Sequence, residues 1–189
     1  MEVREFDIVF NRLNPNDKRK WFSRVLSKLI YFFQKNRKSG ASAKITHTGT
    51  RVSIERNMWV SEMQGRGARL TDWERYKEKY TGEIWRLYIP IKERGNVIKH
   101  MIEVCGVLKY DFFGLVMIQT RKSILKKLNP EWGKLFERNY IKRKGKKCST
   151  WTNHIMNIAF GLDYKNNINP SELYRYVTSL NCSEKIGEF

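Results

Sequence analysis

Residues 44–63 read KITHTGTRVSIERNMWVSEM and hold two stretches rich in β-branched and aromatic residues. The first stretch, residues 44–54, and the second, residues 58–63, each predict a β-strand. The polar residues Glu55, Arg56 and Asn57 lie between them and predict a turn. We therefore expect these residues to form a β-hairpin.

The register of this hairpin decides which side chains share a face. If the loop has two residues, Ile54 faces Asn57 and His47 faces Gln64. His47 and Glu62 are then diagonal neighbours on one face, with backbones about 7 Å apart and side chains within reach of each other. A loop that is longer or shorter by an odd number of residues would place the two on opposite faces.

Apolar spacing and capping residues predict further elements on both sides of the hairpin. They are a strand at 5–10, a helix from Lys18 to about Asn36, a short helix from Thr71-Asp72 to about Lys79, a strand at 83–91, a helix-like stretch at 95–108, a helix at 148–160 with Gly161 as its C-cap, and a last helix opened by Asn169-Pro170. The elements predict an α+β fold, with residues 1–189 as a single domain and a basic excursion at 121–147.

The helix that starts near Lys18 has two interpretations. Its apolar residues recur at helical spacing: Trp21, Phe22, Val25, Leu26, Leu29, Ile30 and Phe33. Cations such as Arg24 and Lys28 lie between them, and a basic amphipathic helix of this kind can bind a membrane surface. Packing against the protein's own core is the commoner outcome, and we favour it.

Positive charge is concentrated in two stretches of the chain. The formal net charge is +18, of which residues 17–44 supply +8 and residues 121–147 supply +9. This distribution predicts attraction to an anionic polymer, which could be nucleic acid, the cell wall or an acidic membrane surface. The 41% hydrophobic and 13% aromatic content excludes a disordered basic tail.

Other compositional features set the expected compartment and exclude some classes of protein. No apolar run approaches the roughly 18 residues of a membrane-spanning helix, so we expect no transmembrane segment. The charged N-terminus predicts no signal peptide, and hence a cytoplasmic protein or one delivered by a phage particle or by lysis. Three cysteines without Cys-x-x-Cys or zinc-ligand spacing predict no disulfide framework, no metal and no cofactor.

One cysteine has surroundings that suit a nucleophile. Cys148 lies at a predicted helix start and follows the run KRKGKK at 142–147, and both features favour the thiolate. A cysteine nucleophile also needs a base and a group that orients the base, and His47 and Glu62 are the candidates. Taken singly, each of the three is more often structural, and we interpret His100 and His154 as structural.

The order of these motifs resembles one family. The matching segments are FDIVF at 6–10, the amphipathic helix, SAKITHTG at 42–49, WVSE at 59–62, Tyr110-Asp111, Cys148-Ser149 and PSEL at 170–173. This series is similar to the circularly permuted branch of the NlpC-like papain-fold hydrolases, which includes YiiX-type bacterial proteins, poxviral relatives and lecithin retinol acyltransferase. The resemblance covers roughly residues 5–176.

The resemblance implies a papain-like fold, in which a helix bearing the nucleophile packs on an antiparallel sheet. It implies that Cys148 is the nucleophile, that His47 is the general base and that Glu62 orients His47. The backbone N–H of Cys148 would contribute to an oxyanion hole. The expected activity is thiol-dependent hydrolysis of an amide or ester bond, in a cell-wall peptide or in an acyl or lipid substrate.

Two alternatives stay open at this point. One is a non-catalytic nucleic-acid-binding or virion-associated protein, whose contacts would be lysines and arginines together with Trp21, Trp132, Tyr140 and Trp151. The other is an acyltransferase of the same fold that acts on lipid.

Overall fold

The architecture is α+β. The computed structural model describes residues 6–12, 21–35, 44–65, 67–111, 146–165 and 168–189. In this part of the chain, five helices accompany one antiparallel sheet of six strands in the order β4-β3-β2-β1-β5-β6. The strands are β1 Asp7–Arg12, β2 Ile45–Ile54, β3 Asn57–Gln64, β4 Gly67–Asp72, β5 Gly82–Leu87 and β6 Ser183–Glu188. The helices are α1 Trp21–Lys35, α2 Trp73–Lys77, α3 Arg94–Glu103, α4 Cys148–Phe160 and α5 Pro170–Thr178.

The predicted register of the β2–β3 hairpin is confirmed. Ile54 pairs with Asn57, and Gly49 pairs with Glu62. Glu55 and Arg56 form the two-residue loop with φ angles of 50° and 66°. Left-handed conformations at both positions give the loop a twist that matches the flanking strands, although side chains make these conformations costly.

Capping residues fix the helix ends as the sequence predicts. The side chain of Asp72 accepts hydrogen bonds from the backbone N–H groups of Glu74 and Arg75, both at 3.1 Å, at the start of α2. Gly161 ends α4 in the left-handed conformation with φ 73°. Asn169 accepts from the backbone N–H of Glu172 at 2.9 Å and so caps α5.

Two strands and two element ends differ from the predictions. Sequence patterning misses β4 and β6, the two strands at the edges of the sheet. The strand predicted to reach residue 91 ends at Leu87, shortly before Pro90, which has no backbone N–H to donate. The helix-like stretch predicted to reach 108 ends at Glu103, and the chain then turns through Gly106 at φ 77°.

Helix α4 is held on the sheet by polar contacts as well as by its apolar face. Trp151 Nε1 donates to Ser61 Oγ of β3 at 3.0 Å. The hydroxyls of Thr48 on β2 and Thr152 lie 3.1 Å apart. Ser149 Oγ donates to the backbone carbonyl of Ile168 at 2.7 Å. The first two bonds hold the start of α4 against β3 and β2, where Glu62 and His47 lie, and the third holds it against the segment that precedes α5.

The two faces of the sheet are covered unequally. The larger core contains residues of α3, α4 and α5 packed against β1, β2 and β3. A smaller cluster on Val9 and Val60 is closed by Tyr76 and Tyr80, with Phe189 packed against it. Tyr76 and Tyr80 belong to α2 and to the segment after it, so this short helix brings aromatic rings to the hairpin.

Parts of the predicted basic stretches lie outside the described residues. Of residues 121–147 the structure describes Lys146 and Lys147, so the proposed excursion is not described further. Trp132 and Tyr140 also lie outside the described ranges. Within those ranges, the structure contains no helix long and apolar enough to cross a membrane.

We predict that the double substitution Glu55→Asn with Arg56→Gly stabilises the protein by about 1 kcal/mol or more, because Asn and Gly adopt left-handed conformations more readily. Chemical denaturation measures the change. Arg56→Ala is the matched control, since it keeps a Cβ at the same φ and should give no gain. A double variant that is less stable than the wild type would contradict the hairpin geometry.

Candidate active site

His47 and Glu62 meet on the hairpin. The Nε2 atom of His47 lies 2.7 Å from Oε2 of Glu62. The exposed fraction is 8% for His47 and 0% for Glu62, so this hydrogen bond is shielded from water. The contact follows from the register, because the Gly49–Glu62 pair places His47 two residues further along the same face.

The second carboxylate oxygen of Glu62 is held by β3 and β4. Oε1 accepts hydrogen bonds from Gln64 Nε2 at 2.8 Å and from Thr71 Oγ1 at 2.7 Å. It also accepts from Nε and Nη2 of Arg69 at 3.1 and 3.0 Å. Both oxygens therefore have partners, and the carboxylate is fixed in position behind His47.

An aromatic ring fixes the plane of the His47 imidazole. The ring of Tyr80 stacks on it with a centroid separation of 5.2 Å and an interplanar angle of 14°. The Tyr80 hydroxyl accepts a hydrogen bond from Gln64 Nε2 at 2.6 Å. Because Gln64 also binds Glu62, one amide group holds both the carboxylate and the stacking ring.

Cys148 is the first residue of α4 and lies close enough to His47 that each residue shifts the pKa of the other. Since Nε2 of His47 is bound to Glu62, Nδ1 is the nitrogen left to face the sulfur. At the start of the helix, the backbone N–H of Lys147 donates to Thr150 Oγ1 at 2.8 Å. The structure thus brings together Cys148, His47 and Glu62, the three candidates from the sequence.

The electrostatics of the site favour a thiolate beside an imidazolium. Burial alone would raise the pKa of Cys148, but the hydrogen bond and positive charge of His47, with backbone hydrogen bonds from Thr48 and Ser149, lower it from 9.0. Burial alone would lower the pKa of His47, but its contacts with Cys148 and Glu62 raise it to about 9.

Glu62 stays charged because its hydrogen bonds and positive neighbours lower its pKa by more than burial raises it. Burial alone would raise its pKa, yet the hydrogen bond and charge of His47, the charge of Arg69 and the hydrogen bond from Thr71 lower it to about 2. A permanent negative charge behind His47 favours the imidazolium, which in turn favours the thiolate. The three groups can therefore present a nucleophilic sulfur near neutral pH.

Tyr110 is a fourth residue of the site, and its only sequence signal is the Tyr110-Asp111 motif of the family resemblance. Burial, together with the charge and hydrogen bonding of Cys148, raises the pKa of its hydroxyl well above 10.0. Tyr110 forms a parallel bridge with Lys146, two residues before Cys148. This bridge joins residues distant in sequence and places Tyr110 beside the segment that leads into α4.

Two histidines interpreted as structural form a second cluster along α4. The Nε2 atoms of His100 and His154 lie 3.3 Å apart. Burial lowers the pKa of His154 to about 4, and the charges of Lys146 and His100 add to this effect. Both histidines line a cavity of about 400 Å³ together with Lys92, Glu93, Asn96, Val97 and Ile158.

The remaining cysteines differ from Cys148 in their surroundings. Cys105 is half-buried, and its thiol donates to the backbone carbonyl of Met101 at 3.1 Å. Burial raises the pKa of Cys105. Cys182 is half-buried near the C-terminus. Across the described residues, no group of three or more His, Cys, Asp or Glu side chains is arranged to hold a metal ion.

The sequence was compared with models of known protein families and with curated proteins. Neither comparison gives a match. What the site can do therefore follows from its residues and their contacts.

We predict that labelling of Cys148 by iodoacetamide titrates below the ordinary thiol pKa of 9.0, since the thiolate is the reactive form. Glu62→Gln removes the charge that favours the imidazolium and should raise this labelling pKa by about one unit or more. Mass spectrometry of the Cys148 peptide across a pH series measures it. Thr71→Val keeps the carboxylate and should shift the profile less. Identical pH profiles of labelling for the wild type and Glu62→Gln would contradict an effect of the Glu62 charge on the Cys148 thiol.

The low pKa of Glu62 predicts a loss of stability in acid. Its folded pKa of about 2 lies below its ordinary value of 4.5. Its contribution to stability is therefore complete above about pH 4.5 and is lost as the pH falls towards 2. Glu62→Gln should lower the free energy of unfolding at pH 7 by about 3–5 kcal/mol, because it leaves Arg69 and His47 without a buried counter-charge.

Denaturant unfolding at a series of pH values checks this expectation. Between pH 4.5 and 2 the wild type should lose stability more steeply than Glu62→Gln. Glu103→Gln, at an exposed position of α3, is the matched control and should follow the wild type. Parallel slopes in the wild type and in Glu62→Gln would show that Glu62 is not held as a carboxylate.

Proposed function

We propose that the protein is a cysteine hydrolase of the permuted NlpC-like, papain-fold type, which cleaves an amide or ester bond. Cys148 is the nucleophile and His47 is the general acid and base. Glu62 orients His47 and favours its protonated form. The observation that carries the proposal is the buried hydrogen bond between His47 and Glu62 beside Cys148, whose pKa His47 lowers. The order of the elements supports the fold type, since β1, α1, the His and Glu strands and the Cys helix follow one another as in that family.

The first step is attack by the Cys148 thiolate on the carbonyl carbon. A carbon–sulfur bond forms, the carbonyl π pair moves onto the oxygen, and the resulting oxyanion needs hydrogen-bond donors. The proposed donors are the backbone N–H of Cys148 and the hydroxyl of Tyr110, whose raised pKa keeps its proton in place. As the oxyanion collapses, His47 gives its Nδ1 proton to the departing amine or alcohol, and a thioester on Cys148 remains.

The second step returns the enzyme to its starting state. His47 is neutral after the first step and takes a proton from water at Nδ1 as the water attacks the thioester. The carbon–sulfur bond breaks, the acid product leaves, and the thiolate–imidazolium pair is restored. Glu62 stays charged throughout, and its bond to Nε2 keeps Nδ1 directed at the sulfur.

The site is closed in this conformation. Cys148 is 1% exposed and His47 is 8% exposed. A substrate therefore reaches the sulfur only when groups over the site move aside, and closure afterwards would keep water out of the first step. Cell-wall peptides and acyl or lipid substrates are the proposed substrate class, as the family resemblance implies.

We predict that p-nitrophenyl acetate forms a thioester on Cys148 with a burst of nitrophenol. Cys148→Ala should abolish the burst, and His47→Ala should slow acylation at least about a hundredfold. Tyr110→Phe should slow it by about 10²–10³, the loss expected for one oxyanion donor. Stopped-flow absorbance and mass spectrometry measure the rates and the adduct.

Tyr88→Phe is the matched control for Tyr110→Phe. Tyr88 is an exposed residue whose hydroxyl donates to Glu184 at 2.5 Å, so removing it should leave acylation unchanged. Folding of each variant is checked by its thermal transition. Acyl adducts on Cys105 or Cys182 at the expense of Cys148, or a rate in Cys148→Ala equal to that of the wild type, would contradict the proposed nucleophile.

A further inference from the structure

Helix α1 has large apolar side chains on the side that faces away from the core. Its inner side carries the buried residues Ser27, Ile30 and Gln34. On the outer side lie four exposed residues, which we name the outer stripe: Trp21 (68% exposed), Val25 (50%), Leu29 (39%) and Phe32 (59%). At about 100° per residue, the outer stripe occupies an arc of about 80°. The favoured prediction that this helix packs on its own core therefore describes only one of its sides.

Buried contacts set which side of α1 faces outward. Gln34 Nε2 donates to the backbone carbonyl of Ile45 at 2.9 Å, where β2 begins. The side-chain oxygen of Gln34 accepts from the backbone N–H of Ser171 at 2.9 Å, in the first turn of α5. Rotating the outer stripe inward would break both bonds and leave a buried amide without them. The two bonds therefore fix which side of α1 carries the stripe.

Cations lie beside the outer stripe. Arg24 and Lys28 are exposed, and helical geometry places them within about 60° of Trp21 on one flank of the stripe. The segment 17–44 that contains α1 carries a net charge of +8. A surface that combines a row of large apolar groups with adjacent cations is complementary to an anionic lipid interface, which accepts apolar side chains and attracts positive charge.

Nucleic acid fits the outer stripe less well. Single-stranded nucleic acid stacks on aromatic rings and binds cations, but it offers little to aliphatic side chains. Val25 and Leu29 are aliphatic, and transfer of their exposed surface into an apolar medium is favourable.

We propose that the outer stripe of α1 docks on an anionic lipid surface, with Trp21, Val25, Leu29 and Phe32 inserted at the interface and Arg24 and Lys28 at the level of the headgroups. The docking uses no residue of the candidate active site. It would hold the protein on a membrane whether or not Cys148 acts as a nucleophile.

Vesicle binding tests the proposal on the full chain. Vesicles of equal parts phosphatidylglycerol and phosphatidylcholine should bind the wild type, and vesicles of phosphatidylcholine alone should bind it much more weakly. Val25→Ser with Leu29→Ser should weaken binding at least about tenfold, since each apolar side chain loses its transfer out of water. Arg24→Gln with Lys28→Gln should weaken it by about fivefold for each charge and reduce its salt dependence. Co-sedimentation measures the affinities, and circular dichroism confirms that each variant is folded.

Two controls distinguish vesicle binding through the outer stripe from nonspecific apolar adsorption and from catalysis. Ile102→Ser with Val107→Ser removes two other exposed apolar residues and should bind vesicles like the wild type. Cys148→Ala should also bind like the wild type, so the proposed function can fail without affecting this result. Equal binding by the Val25/Leu29 variant and the wild type would overturn the proposal. So would binding to a single-stranded oligonucleotide without binding to the anionic vesicles.

Discussion

A carboxylate without contact with water has to be compensated by its neighbours, and Glu62 is such a carboxylate. Its two oxygens take hydrogen bonds from side chains on three adjacent strands: His47 on β2, Gln64 on β3, and Arg69 and Thr71 on β4. These bonds tie one end of the sheet together around a single negative charge. Because they fix the carboxylate, they also fix the imidazole that it binds, and with it the direction in which Nδ1 points.

The charge on Glu62 determines where a proton of the neighbouring pair resides. In the unfolded chain near neutral pH, the proton lies on the Cys148 sulfur and His47 is mostly neutral. In the folded protein the opposite shifts of the two pKa values favour moving that proton to His47. This transfer changes the net charge very little, so the pair makes the free energy of unfolding depend little on pH near neutrality. The apolar stripe on α1 shares no residue with this site and depends on separate contacts through Gln34.

Local patterns predicted the parts of the fold and site that depend on neighbouring residues in the chain. The two-residue loop at Glu55 and Arg56 sets the register that pairs Gly49 with Glu62, so the His47–Glu62 contact was visible in the sequence. Strand β6 could not be predicted from the sequence, since SEKIGE is polar and forms a strand through its pairing with β5. Strand β4 was missed because its six residues lie between a turn and a helix cap, with no alternation of their own. Its contribution of Arg69 to Glu62, like the contact of Tyr110 with Cys148, arises from tertiary packing that no local spacing encodes.

The raised pKa of His47 makes the ring an imidazolium at neutral pH, because it lies between Glu62 and the Cys148 thiolate. The ¹⁵N chemical shifts of the His47 ring, recorded by NMR across a pH series on the full chain, measure its protonation directly. We expect both ring nitrogens to carry protons at pH 7 and the ring to titrate near pH 9, with a lower value in Cys148→Ser. A His47 ring that is neutral at pH 7 in the wild type, and that titrates at or below its ordinary value of 6.5, would show that Glu62 and Cys148 do not hold it as an imidazolium.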